Sequence, residues 1–416
     1  MMAQYIIQGG NKLEGEMSAS GSKNASLPII AASILNGKNT TLYNVPNIQD
    51  IKITLEILRL LGCKTDRKNG KIIIDSCGMQ KTEIPKDLMH QLRSSVILAG
   101  AILGRFKKAV FSYPGGCDIG ARPIDLHIKA LKKLGINIEE EAGFIVCSTD
   151  KIIGADIHLD FPSVGVTENV MLASVLAEGE TTITNAAMEP EIVDLQKFLN
   201  RMGAKISGAG ENVIRIQGVK ELKNVSYNVM PDRIEIGTFL CMTAITGGNT
   251  IINNVNNEDI KSITSKLEEA GVKIKQEKSK IEIISPRKLK AVDIKTMPYP
   301  GFPTDMQSVF GAMLTVAKGT SVIVENIFEN RFKYLNELKK MGAKVSVEGK
   351  IAIIKGTKKL HGVEMEAPDL RGGAAICTAA LAAKGESTIN NISHILRGYE
   401  NFDKKLQKLN ANIKLI

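Results

Sequence analysis

The chain has 416 residues, 44% of them hydrophobic and 24% charged, which is ordinary globular composition and excludes long disorder, a fibre or a collagen repeat. That length sets an expectation of two domains of about 200 residues each. The net charge of +10 suits a nucleic-acid partner or an acidic substrate, but 4% aromatics and no Trp leave few platforms on which to stack bases.

Most of that charge reads as a solvated lysine surface. The longest apolar runs, Ser95 to Gly104 and Ala374 to Ala383, fall short of the ~18 residues a membrane helix needs. Met1-Met2-Ala3-Gln4-Tyr5 lacks the basic start, apolar stretch and cleavage site of a secretory leader, so a cytoplasmic location is expected. Cys63, Cys77, Cys117, Cys147, Cys241 and Cys377 include no CxxC and no close pair, which predicts free thiols rather than a zinc site or a disulfide framework.

In chain order, a strand-like Tyr5-Ile6-Ile7-Gln8 comes first, and then one unit recurs six times. Each copy begins with an apolar, Ala-rich stretch running to a glycine: Gly37, Gly104, Gly179, Gly247, Gly319 and Gly385. That glycine is predicted to cap a helix. A β-branched run follows, such as Thr181-Thr182-Ile183-Thr184 or Ser321-Val322-Ile323-Val324, then a polar loop, then an amphipathic helix such as Asp194 to Met202. That helix ends alike each time, at Leu61-Gly62, Leu134-Gly135, Met202-Gly203, Ala270-Gly271, Met341-Gly342 and Leu409-Asn410, and further strands such as Lys71 to Ile74 and Lys280 to Ile284 close the copy. Successive endings are 73, 68, 68, 71 and 68 residues apart, so six α/β copies fill the molecule, three per domain. Such copies stack as a solenoid or close into pseudo-threefold domains, and six copies in two domains favour closure. The first strand then pairs with the last copy, and the boundary falls near Tyr227 to Pro231.

Two helix starts per copy supply unpaired N–H groups and a dipole that attract anions. The first slot holds Ser22-Lys23-Asn24, Leu92-Arg93-Ser94, Val164-Gly165-Val166, Asp232-Arg233, Pro303-Thr304-Asp305 and Asp369-Leu370-Arg371. The second holds Pro46-Asn47, Gly116-Cys117-Asp118, Glu189-Pro190-Glu191, Asn257-Glu258, Glu329-Asn330-Arg331 and Leu396-Arg397-Gly398. An aspartate in such a place is an N-cap by default. Several cations in equivalent slots (Lys23, Arg93, Arg122, Arg331, Arg371, Arg397) nevertheless imply a shared anion. From the first glycine of each copy to its ending the distances are 25, 31, 24, 24, 23 and 25 residues, so only the second copy is extended. The excess lies in the glycine-rich Tyr113 to Pro123, which has the composition of a lid. Cys117 stands in it among small and polar residues, the thiol expected to be most exposed, with Arg122 and Lys23 to favour thiolate. His127, on the following helix, reads equally as structural or functional. No phosphate-loop, dinucleotide or metal-ligand spacing occurs.

The segments Gly21 to Ala25, Pro114 to His127, Pro303 to Gln307, Glu329 to Phe332, Asp369 to Arg371 and Arg397 to Glu400 resemble the UDP-N-acetylglucosamine 1-carboxyvinyltransferase family, over essentially the whole chain. The resemblance implies an α/β fold, a two-domain inside-out α/β barrel of six βαβ-type repeats. Residues 22–229 then form the domain with the cysteine loop, and residues 1–21 and 230–416 the domain with the base and the arginines. It further implies transfer of the enolpyruvyl group of phosphoenolpyruvate to the sugar 3-hydroxyl, with release of phosphate, at the start of peptidoglycan precursor synthesis. Lys23, Arg122 and Arg397 are then expected around phosphoenolpyruvate, with Arg331 and Arg371 lining the anionic cleft. Cys117 is the expected proton donor, able also to form a thioether, and Asp305 is the base or the group that orients the hydroxyl. Asn24, Arg93, Arg122, Pro123, Ile124, Asp125, Leu126, Ser163, Val164, Asp305 and Ile327 are expected on the nucleotide sugar, and Asp369 among the substrate-binding residues. No cofactor, metal, nucleic acid or membrane partner is expected, and a monomer is favoured. Asp118 departs from the pattern by placing a carboxylate beside the cysteine, which would raise its pKa. The related 3-phosphoshikimate 1-carboxyvinyltransferase family lacks the cysteine loop.

Overall fold

The computed structural model describes residues 3–113 and 124–416. The described chain forms two compact units, one of residues 3–20 and 231–416 and the other of residues 21–113 and 124–230.

In the second of these the helices are α1 (Lys23–Ala32), α2 (Gln49–Leu60), α3 (Lys86–Gln91), α4 (Ile97–Phe106), α5 (Asp125–Lys133), α6 (Val164–Ser174) and α7 (Pro190–Arg201). Helices α1, α4 and α6 are apolar and buried around almost their whole circumference, and α4 packs on both of the others. A helix without a polar face has to be enclosed, and three small sheets do this, with the amphipathic α2, α5 and α7 beside them. Helix α7 shows the two-sided pattern, burying Ile192, Leu195, Phe198 and Leu199. Helices inside and sheets outside make this an inside-out α/β barrel.

The other unit repeats the plan with α8 (Arg233–Thr246), α9 (Lys261–Glu269), α10 (Thr304–Leu314), α11 (Tyr334–Lys340), α12 (Leu370–Ala382), α13 (Ser393–Leu396) and α14 (Phe402–Lys408). Here α8, α10 and α12 are the enclosed helices, each packed on the other two. Tyr5–Gln8 lies antiparallel between Glu386–Asn390 and Asn412–Leu415, so the first strand does complete the sheet of the last copy. No described helix is long and apolar enough to cross a membrane.

The repeat is written into the backbone. All six predicted helix endings have left-handed φ angles: +108° at Gly62, +78° at Gly135, +104° at Gly203, +95° at Gly271, +90° at Gly342 and +69° at Asn410. The glycines predicted to cap the Ala-rich helices are a different matter. Only Gly247 caps its helix, whereas Gly37, Gly179, Gly319 and Gly385 come three to five residues after theirs, in the turn into the next strand. Gly104 lies inside α4, where an added Cβ would sit 2.7 Å from the Leu172 carbonyl oxygen, so close approach to α6 explains this glycine.

In most copies the short strand before an enclosed helix pairs in parallel with the strand after that same helix, as Asp156–His158 does with Glu180–Thr184. Two strands are exchanged. Glu14–Ser18 precedes α1 but pairs with Asn249–Asn253, while Val225–Asn228 precedes α8 but pairs with Asn39–Tyr43. These exchanges accompany the two passages of the chain from one unit to the other, at residues 20–21 and 230–231.

Candidate active site

In the unit of residues 231–416, chemistry concentrates at the first turns of α10 and α12. Pro303 occupies the N-cap place of α10 and offers no side-chain acceptor, which leaves Asp305, in the first turn, to do something other than cap. Its Oδ1 accepts from Nη2 of Arg331 at 2.6 Å, and its Oδ2 accepts from Nη2 and Nε of Arg371 at 2.9 and 3.3 Å. Both arginine side chains are at most 4% exposed, whereas the Asp305 side chain is 27% exposed, so the carboxylate is the outward-facing member of the cluster. The predicted capping role belongs instead to Asp369, whose Oδ1 accepts from the backbone N–H of Arg371 and Gly372.

Burial pulls the Arg371 guanidinium down, but Asp305, Tyr399 and Asp232 more than offset it and its pKa is raised on balance. The guanidinium also lies 5.4 Å from the centre of the Tyr399 ring, and that of Arg331 lies 5.0 Å from Phe328. Behind this layer is Glu325, fully buried, which sequence reasoning passed over. It accepts from the Thr304 hydroxyl at 2.9 Å, and Thr304 in turn accepts from Nη1 of Arg331 at 3.0 Å. Ile327 is half-buried and held through its N–H by the same Glu325. Arg397 follows the short α13, also half-buried.

The unit of residues 21–230 carries the other predicted group. Ser22 caps α1, accepting from the Ala25 N–H, and this fixes Lys23 and Asn24 in the first turn, both half-buried. Lys23 Nζ lies 3.0 Å from Oδ2 of Asp50, a carboxylate only 1% exposed in the first turn of α2. Asp50 was missed too, although its place at a second-slot helix start was the available signal. Ser163 caps α6 and Val164 begins it. Ile124 is buried, and Asp125 and Leu126 open α5. Arg93 opens a short 3-10 turn, Arg93–Val96.

His127, left open by the sequence, has a defined setting. Asn169 accepts from the Gly100 N–H through Oδ1 and donates to the Val96 carbonyl through Nδ2, which fixes its amide orientation. The same Nδ2 lies 2.7 Å from His127 Nδ1, so that nitrogen accepts and the ring proton sits on Nε2, near Gly165.

Cys117, Arg122 and Pro123 lie outside the described residues. Of the described thiols Cys63, Cys147, Cys241 and Cys377 are buried, and burial pushes Cys63 up to about 11 and Cys147 up to about 12. Cys77 is exposed, which the sequence did not single out, and its hydrogen bond with Asp75 raises its pKa. No cluster of metal-ligating side chains occurs among the described residues.

A family model described as EPSP synthase (3-phosphoshikimate 1-carboxyvinyltransferase) matches residues 7–406. Two relatives named UDP-N-acetylglucosamine 1-carboxyvinyltransferase are each 48% identical, one from Caldanaerobacter subterraneus subsp. tengcongensis over 413 residues and one from Clostridium botulinum over 414, with 99% of both chains covered in each case. The chain belongs to the UDP-N-acetylglucosamine 1-carboxyvinyltransferase family. Among solved structures the enolpyruvyl transferase NikO from Streptomyces tendae superposes with a TM-score of 0.91 at 23% identity, over 100% of this chain and 99% of that one, and shares the fold.

Proposed function

We propose that this family member is a transferase that moves the enolpyruvyl group of phosphoenolpyruvate to the 3-hydroxyl of UDP-N-acetylglucosamine in the cytoplasm, at the first committed step of peptidoglycan precursor synthesis. The reading is carried by 48% identity, over 99% of the chain, to enzymes named for that transfer. The sugar oxygen bonds to C2 of phosphoenolpyruvate while C3 takes up a proton. The adduct then loses a proton from C3 as the C2–O bond to phosphate breaks, which restores the double bond and releases inorganic phosphate.

The chain's residues divide these tasks. Asp305, outward-facing and tethered by two guanidinium groups, takes or directs the proton of the sugar hydroxyl. Cys117 delivers the proton to C3. Lys23, Arg122 and Arg397 hold the phosphate and carboxylate of phosphoenolpyruvate, with Arg331 and Arg371 adding positive charge, each charge-assisted contact contributing ~1.5–3 kcal/mol before desolvation. Asn24, Arg93, Ser163, Val164, Ile327 and the stretch from Arg122 to Leu126 receive the nucleotide sugar, with Asp369 fixing the turn that carries Arg371. The enzyme acts without metal or cofactor and as a monomer.

Phosphate release from phosphoenolpyruvate tests the reaction, with UDP-N-acetylglucosamine in one arm and shikimate 3-phosphate in the other. Turnover is expected only in the first; turnover only in the second transfers the enzyme to the other branch, and none in either leaves a binding protein. In the same assay Cys117→Asp retains activity if Cys117 serves as an acid, because a carboxyl group still carries a proton but forms no thioether.

A further inference from the structure

The six copies supply their own control for what folding requires. After the strand that follows the enclosed helix, four copies place an asparagine with left-handed backbone: Asn44, Asn185, Asn254 and Asn391. Each donates through Nδ2 to a carbonyl at the end of the neighbouring parallel strand, namely that of Val229, Leu159, Ala19 and Ala367. Two copies depart from this pattern: in the second, Tyr113 follows the strand Lys108–Ser112, and in the fifth an acid takes the place. Glu325 follows its strand, Thr320–Val324, and the asparagine task passes one residue on to Asn326, which donates to the Thr296 carbonyl. Thr296 itself stands where those four copies have Val229, Leu159, Ala19 and Ala367, all without a hydroxyl.

We infer that Glu325 is a positioning residue that holds Arg331, and through it Asp305, while presenting the backbone of Ile327. Its two oxygens do separate work. Oε1 accepts from the Thr296 hydroxyl at 2.8 Å and from the N–H groups of Ile327 and Phe328 at 2.8 and 3.1 Å. Oε2 accepts from the Thr304 hydroxyl at 2.9 Å. The Thr304 oxygen receives Nη1–H of Arg331 and the Thr296 oxygen receives the Asn326 N–H, while both hydroxyls donate to Glu325, that of Thr296 lying also 3.5 Å from the Val324 carbonyl oxygen. Four donors and no acceptor face the carboxylate. An amide in its place turns its NH2 either onto two backbone N–H groups or onto Thr304, whose oxygen would then accept from both the amide and Arg331 while its own proton loses the Glu325 acceptor.

The chain Arg331 to Thr304 to Glu325 therefore fixes one edge of the guanidinium whose other edge holds Asp305. Since the Asp305 role is itself proposed above, this inference rests on that reading. The experiment measures phosphate release, with kcat and KM for both substrates, and thermal melting for Thr304→Val, Thr304→Ser, Glu325→Gln and Asp305→Asn. Thr304→Val cuts only the Oε2 branch and is expected to lower kcat ~10- to 100-fold, the range for loss of an orienting partner, with KM for the nucleotide sugar unchanged. Thr304→Ser keeps the hydroxyl and is expected to restore kcat. Glu325→Gln cuts both branches and is expected to lower kcat and raise that KM. Wild-type kcat in Thr304→Val, or equal loss in Thr304→Ser, overturns the inference, and that pair decides it even if Glu325→Gln does not fold. Inactive Asp305→Asn beside active Thr304→Val condemns the relay alone, whereas fully active Asp305→Asn removes the Asp305 reading and the relay with it.

Discussion

The first turn of α10 in one unit and the first turn of α1 in the other are versions of the same repeat position, and they carry opposite charge. At α10 a carboxylate, Asp305, is held between two buried guanidinium groups. At α1 an ammonium, Lys23, is held by one buried carboxylate, Asp50. The repeat thus fixes where a side chain emerges and leaves its sign open. The two settings also differ in build: Asp305 is shared by two guanidinium groups, with Glu325 behind Thr304 and Asp232 acting on Arg371, whereas Lys23 faces the single carboxylate of Asp50 across 3.0 Å. A neutral pair attracts an anion weakly through its overall field, so Lys23 has to act through placement and short contacts.

The largest expected effect lies on the α10 side. Asp305→Ala removes the proton-handling group and leaves two buried guanidinium groups facing one another. We expect kcat to fall ~10²- to 10⁴-fold, as for loss of a general base. Breaking a buried ion pair costs about 3–5 kcal/mol, and because Asp305 is partly exposed the lower end is expected, read from denaturant unfolding. Activity within a few-fold of wild type would break the comparison at its first term. On the α1 side Asp50→Asn makes the pair net positive while loosening Lys23. If placement governs, KM for phosphoenolpyruvate rises about tenfold, the worth of one charged hydrogen bond. A fall in that KM instead would show that field, not placement, is what Lys23 supplies.

Why one half of each pairing was legible and the other was not follows from its physical origin. Lys23, Asp305 and Arg371 stand in the first turns of helices whose starts are marked in the sequence, so their slots were readable as anion-facing positions. Asp50 and Glu325 are ordinary acidic residues in composition and spacing, and they become partners only because folding buries them against Lys23 and Thr304. The repeat itself was legible because each amphipathic helix ends in a left-handed residue, a requirement that glycine and asparagine satisfy at low cost. Gly104 was misread because a glycine required by helix contact looks the same as one required by φ.

A smaller effect separates the units by acid–base behaviour. In the unit of residues 21–230, burial and then the neighbouring Glu191 and Glu189 carboxylates push Glu168 well above the ordinary carboxylate range, and no cation is among the causes. In the other unit Glu235 is likewise raised by burial, but Lys405 opposes the shift. A carboxyl raised on folding contributes stability that is full below its unfolded value, near 4.5, and is lost as pH rises toward its folded value. Glu168→Gln has no proton to lose. Its melting temperature relative to wild type should therefore climb with pH from about 4.5 upward, while Glu235→Gln, which strands Lys405, should lower it. A Glu168→Gln offset independent of pH would show that this carboxyl does not titrate on unfolding.

The smallest effect compares the helix endings, where the units share one geometry and differ in residue. Gly203, at +104°, has no atom within 4 Å of a built Cβ, so Gly203→Ala probes backbone strain with no clash. Left-handed backbone at an L-residue costs roughly 1–2 kcal/mol, and unfolding of Gly203→Ala is expected to show about 1. Asn410, at +69° in the corresponding place, already tolerates that region through its short polar side chain. Asn410→Gly should therefore change stability by only a few tenths of a kcal/mol, whereas Asn410→Ala should lose nearly as much as Gly203→Ala. Equal and negligible losses at both sites would mean that the endings relax to another φ, and that the sixfold recurrence of the motif reflects shared ancestry more than a present demand of the backbone.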